Sequence, residues 1–257
     1  KCPCPEERKE RLFAALESLK DASVPTRSTL LLSMSRLYQY DEEKALALYL
    51  AVMSDLELSL LMVPLFAQHP LLYAIYKHYD KVKEFLNQAS SKIGYNDSTI
   101  VALWYSWLYG HKDAKELCLK TLVLDEGARL SLVSSLYGGG RPEYAQQYKE
   151  LLNNLLRFES KDFGERLDLI FVNIDQILTD SKDLENVVDQ YVNTSNVLYS
   201  KFQFMKFVER QISVRPQKCV EWMSKIISRI KTFNDYYAIG KWIDLLMSAY
   251  NSIREYN

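Results

Sequence analysis

Only 8 glycines and 7 prolines punctuate the 257 residues, and three of the glycines stand together in SLYGGGRPEYAQQY (Ser135–Tyr148). A phosphate-cradling loop needs the order G-x-x-x-x-G-K-[ST] after a strand, and this tract has neither the lysine, the hydroxyl nor the strand. It reads as a corner at which one helix stops and another restarts with proline in its first turn. Cysteine is sparse too: Cys2, Cys4, Cys118 and Cys219 do not form the framework of a secreted disulfide scaffold, so a reducing, intracellular and cytoplasmic location is expected. Cys2 and Cys4 in KCPCPEER lack the two-residue spacer and the second pair of a zinc knuckle. The three histidines, His69, His78 and His111, are scattered, and no H-E-x-x-H or G-x-S-x-G is present. No metal, cofactor or catalytic residue is therefore expected.

Net charge is nearly absent as well. At −1 the chain lacks the excess of lysine and arginine that general nucleic-acid binding requires. The longest apolar run, LSLLMVPLFA (Leu58–Ala67), is about half of what crosses a bilayer and reads as a buried core helix. The chain begins with Lys1 and carries no charged-then-apolar leader, so it is read as a portion of a longer protein, with residues 1–5 as a flexible lead.

What is present is helical periodicity. In ERLDLIFVNIDQIL the apolar residues Leu167, Ile170, Phe171, Ile174, Ile177 and Leu178 recur three or four apart, predicting one helix with a single buried stripe. Cys219, Met223, Ile226, Ile227 and Ile230 keep the same rhythm. Nothing alternates with period two, so strands are not expected. Asp41, Asp97 and Asn234 are candidate N-caps, Pro5, Pro142 and Pro216 suit first turns, and Gly94, Gly110 and Gly127 suit helix ends. About fourteen helices with short links follow.

The helices recur at an interval. Ala45 and Ala114, each in the first turn of its helix, stand 69 residues apart, and Val82, Ala145, Val187 and Cys219 continue the series at steps of 31 to 42. On WLYGHKDAKELCLKTLVLD and YQYDEEKALALYLAVM, where a first helix ends in aromatics and a second opens with a charged turn and an alanine, the chain resembles the tetratricopeptide class of repeats, with HEAT-like repeats as the alternative. The resemblance implies an all-α fold, a right-handed α-solenoid of stacked antiparallel helix pairs occupying residues 6–257 as one domain. It also implies a non-catalytic scaffold or sensor that binds a protein or peptide partner.

Aromatics are in excess: 18 tyrosines, 10 phenylalanines and 4 tryptophans. Most are expected to pack between repeats. Tyr73, Tyr76, Tyr79, Trp104 and Trp107 are the candidates to line a partner groove, because tyrosine and tryptophan favour binding surfaces. Charge is also unevenly spread. Residues 142–200 hold eleven acids against five bases, a net −6, and residues 201–257 ten bases against five acids, a net +5. From this Arg210, Arg215 and Lys218 are expected on a basic ridge facing an acidic partner. The same ridge supports the alternative, a nucleic-acid-binding protein similar in architecture to the helical-repeat alkylpurine DNA glycosylases, drawing on Trp222, Trp242 and Asp244. Finally, the amphipathic YYAIGKWIDLLMSAYNSIREYN points to a helix that closes the stack or self-associates.

Overall fold

The computed structural model describes residues 6–54, 70–91, 96–137, 140–199, 202–230 and 236–255, with backbone alone at 32, 35, 70–77, 96–98, 236–238 and 255. Every regular element among them is helical: α1 (Glu6–Glu17), α2 (Val24–Leu37), α3 (Glu42–Met53), α4 (Pro70–Ser90), α5 (Asn96–Leu108), α6 (Lys112–Leu124), α7 (Glu126–Leu136), α8 (Ala145–Leu155), α9 (Lys161–Leu167), α10 (Ile174–Ile177), α11 (Ser181–Asn193), α12 (Gln203–Gln211), α13 (Pro216–Arg229) and α14 (Tyr236–Glu255). Short 3-10 segments occupy Pro142–Tyr144, Asp168–Val172 and Ser195–Tyr199. The apolar run 58–67, Pro5, Gly94, Asn234 and residues 1–5 lie outside the described residues.

Helix boundaries follow local chemistry. Asp41 caps α3, its carboxylate accepting from the Lys44 amide at 3.0 Å, and Pro216 opens α13 as the fixed φ of proline allows. Gly110 takes φ +92° just past α5, a conformation that L side chains seldom adopt. Gly127 does not end a helix as its sequence suggested. It sits in the first turn of α7, and the stop falls at Asp125, whose extended backbone closes α6 while its carboxylate accepts from Ala128 N at 3.1 Å to begin α7. Asp97 falls inside the first turn of α5, which begins at Asn96.

The chain forms two compact units, Lys1–Ser131 and Leu132–Asn257. In the first, consecutive helices pair (α2 with α3, α4 with α5, α5 with α6), and α3 also packs on α1 and α4, and α6 on α4. The markers Ala45, Val82 and Ala114 are wholly buried.

The second unit has the same grammar. One row runs α8, α11, α13; the other runs through residues 161–177, 195–211 and α14, with α12 packing on both the 168–172 turn and α14. Val187 and Cys219 are buried in the first row, whereas Ala145 is half-buried and the buried residues of its helix begin at Tyr148, one turn on. Between the rows runs an aromatic spine: Phe171 lies 4.6 Å from both Tyr191 and Phe204, Phe204 5.9 Å from Phe207 and Trp242, and Phe207 6.1 Å from Trp222, centroid to centroid.

The helix expected over ERLDLIFVNIDQIL is instead three pieces: α9, the 168–172 turn and α10. The six stripe residues are all buried as their spacing implied. What breaks the helix is polar. The guanidinium of Arg210 donates to the carbonyls of Phe171 and Val172 at 3.0 and 3.2 Å, supplying from α12 the partners that a regular helix would supply from its own next turn. Asp168, buried, faces the other way: its carboxylate accepts from the backbone amides of Phe202, Gln203 and Phe204 at 3.1, 2.9 and 2.9 Å and so caps α12.

On either side of the glycine tract α7 ends at Leu136 and the Pro142–Tyr144 turn leads into α8. Gly138 and Gly139 lie outside the described residues. Gly140 is not in the left-handed region; it is required by crowding, because an added Cβ would collide with Ile177 Cδ1 and stand 2.6 Å from its Cγ1. Ile177 is buried and has little room to turn away. Gly140→Ala is therefore expected to destabilise by about 1–3 kcal/mol, read as a lowered urea midpoint with unchanged slope, while Gly110→Ala, which meets open space but a strained φ, responds through backbone strain alone.

Candidate functional site

The bases singled out from sequence are engaged within the fold. Arg210 pairs with Asp175 at 3.1 Å, Arg215 with Glu185 at 3.4 Å and Lys218 with Asp189 at 3.2 Å. Lys149 bridges α8 to α11 through Asp183, and Arg229 donates to the carbonyls of Val192 and Thr194 at 2.6 and 2.9 Å, closing the C-terminus of α11. Three bases of the +5 segment thus pair with three acids of the −6 segment, each pair joining successive members of one row. The expected basic ridge is an internal ladder whose side-chain bridges join residues 29 to 39 apart. These are partly exposed pairs, each worth of order 1 kcal/mol or less; their effect is on register more than on total stability.

The aromatic candidates are likewise mostly interior. Trp104 and Trp107 are buried, packed edge to face at 5.2 Å, with the Lys115 ammonium 5.7 Å from the Trp107 ring. Trp222 and Trp242 belong to the spine, and Trp222 Nε1 donates to Asp189 at 2.8 Å. The material named for a glycosylase-like channel is therefore committed to packing, apart from exposed Asp244. The side chains of Tyr73 and Tyr76 lie outside the described residues. Tyr79 is different: its ring stacks on His111 at 4.1 Å, and it lines a groove. Burial, with Asp113 and Asp80 nearby, raises its phenol above the usual value.

That groove, a cavity of about 380 Å³, runs between α4 and α6 and is lined by Tyr79, Lys83 and Asn87 on one wall and Asp113, Leu117 and Lys120 on the other. The walls are helical stripes, spaced by one turn, so the lining from Tyr79 to Asn87 spans about 12 Å. A second groove of about 340 Å³ lies between α1 and α3, lined by Phe13, Ala14 and Glu17 facing Ala47, Leu48 and Ala51. The two share an interval in the sequence. Ala47, Leu48 and Ala51 stand 69 residues before Glu116, Leu117 and Lys120, the same interval that separates Ala45 from Ala114. The first groove is charged with both signs; the second is mainly apolar.

Sequence reasoning passed over Lys83, Asn87, Asp113 and Lys120 because exposed polar residues on a helix ordinarily signify nothing but solvent. The available signal was register: Asp113, Leu117 and Lys120 keep helical spacing on a face beside the buried Ala114, and that face is the one α4 approaches.

Among the described residues no group of three or more His, Cys, Asp or Glu side chains could hold a metal ion, and no helix is long and apolar enough to cross a membrane. His78 faces Glu42 at 3.7 Å and His111 stands just before α6. Cys2, Cys4 and His69 lie outside the described residues. Cys118 and Cys219 are free and buried. Burial pushes the Cys219 thiol up to about 12, against a smaller opposing pull from Arg215, and raises Cys118 by burial alone.

No protein-family model, curated protein or solved structure matches the chain.

A thiol held that high is almost wholly protonated at neutral pH, and the thiolate is the reactive form. Cys118 and Cys219 are expected to resist a disulfide exchange reagent at pH 8 in the native protein and to react at the ordinary rate once denatured. Rapid native labelling of either would contradict the burial.

Proposed function

We propose that the chain is a non-catalytic α-solenoid that binds a protein partner, and that the partner enters as a peptide in the groove between α4 and α6. The observation that carries this reading is the recurrence of helix-on-second-neighbour packing with bridges one repeat long. Short hairpins that stack in this way bury their apolar stripes against one another and leave grooves between successive helices of a row, at regular intervals, open to solvent. Two such grooves, 69 residues apart, are present. The α4/α6 groove is the better peptide site because it combines an aromatic ring at Tyr79, an apolar side chain at Leu117, a side-chain amide at Asn87 able to meet a peptide backbone, and charges of both signs to fix direction. The buried free thiols accord with a reducing, cytoplasmic setting.

The test is selection from a displayed library of random peptides against the intact chain, followed by titration of the winners against Asn87→Ala/Lys120→Glu, both of which change exposed side chains. Winners are expected to bind the variant at least about tenfold more weakly. Equal binding to the variant, or no enrichment at all, would count against the groove. The nucleic-acid reading predicts binding to duplex DNA that falls steeply with salt; with Arg210, Arg215, Lys218 and Arg229 engaged internally, no such binding is expected at 50 mM salt or above.

A further inference from the structure

The helix α14 carries apolar residues on two faces. Trp242, Leu245 and Ala249 are buried against the rest of the second unit, where α14 packs on α12 and α13. On another face Ile243, Met247 and Tyr250 stand one helical turn apart and are 47%, 57% and 48% exposed. A helix with a single core contact needs one apolar stripe and turns polar residues elsewhere. The second stripe, three turns long with Arg254, is unexplained by the contacts among the described residues.

We propose that this stripe pairs with the same stripe of a second copy, as an antiparallel, two-fold symmetric helix pair. The choice of a second copy over any other occupant rests on self-complementarity. Place the two-fold axis midway between positions 247 and 250. Met247 then lies against Tyr250 of the second copy, twice, bringing a thioether to an aromatic ring. Ile243 meets the alkyl stem of Arg254 of the second copy, whose guanidinium reaches the neighbouring Asp244. Asp244 and Arg254 are both exposed, and among the described residues neither has an ion-pair partner, so the symmetric arrangement gives each an opposite charge. An axis through this point is the only one that puts apolar on apolar and acid on base together, because the spacing from 243 to 247 equals that from 250 to 254. An isologous contact of this kind closes at two copies and does not propagate.

The patch is small beside the roughly 800 Å² per partner of a tight interface, so the dimer is weak and concentration-dependent. Light scattering on the intact chain, across a series on the order of 1 µM to 1 mM, is expected to show mass rising from one copy towards two and no further. Met247→Glu is expected to hold the chain at one copy throughout, with unchanged far-ultraviolet circular dichroism as the control for folding. Asp244→Arg and Arg254→Asp, singly, each weaken association about tenfold or more, and the double charge swap recovers it. A chain that stays single at the top of the series, that grows beyond two, or that associates undiminished as Met247→Glu would overturn the proposal, as would a double swap no better than its singles.

Discussion

Short helices have proportionally many ends, and each end leaves backbone amides or carbonyls unpaired. In the second unit several of those groups are satisfied from residues 34 to 39 positions away. Asp168 accepts three amides at the start of α12, Arg210 supplies donors to two carbonyls in the 168–172 turn, and Arg229 closes α11. The apolar stripes determine that the helices gather; these end-to-side-chain bonds determine which helix lies beside which. A one-turn slip would leave buried groups unpaired, at a cost of about 1–3 kcal/mol for each.

The aromatic spine depends on that register. Phe171, Tyr191, Phe204, Phe207, Trp222 and Trp242 come from five segments, and their ring contacts of 4.6 to 6.1 Å require all five to be in step. The polar bridges flank the spine: Asp189 holds both Lys218 and the indole of Trp222, so a single carboxylate ties the outer ladder to the inner core.

Helix class, the proline that opens the Pro142–Tyr144 turn and the burial of Ala45, Val82, Ala114, Val187 and Cys219 were legible in the sequence because each rests on local information: a 3.6-residue period, a proline in a first turn, a small or apolar residue on the core side of its helix. The break in 161–177 was not legible. Its apolar spacing is that of one continuous helix, and the interruption is made by Arg210 and by the inward turn of Asp168, whose partners lie about 35 residues away. The charge pattern misled for the same reason. Counting acids and bases by segment finds the imbalance, but only packing reveals that Arg210, Arg215 and Lys218 of the basic stretch pair with Asp175, Glu185 and Asp189 of the acidic one. Tyr79 was singled out with its neighbours as an aromatic, and it lines the groove; Trp104 and Trp107, of equal promise by type, face inward because the pairing of α5 with both α4 and α6 covers them.

The length of the bridges bears on how the protein reaches its native state. Contacts that join residues some thirty positions apart, and seldom much farther, keep loop-closure entropy low, so a hairpin can settle on the one before it without waiting for distant segments.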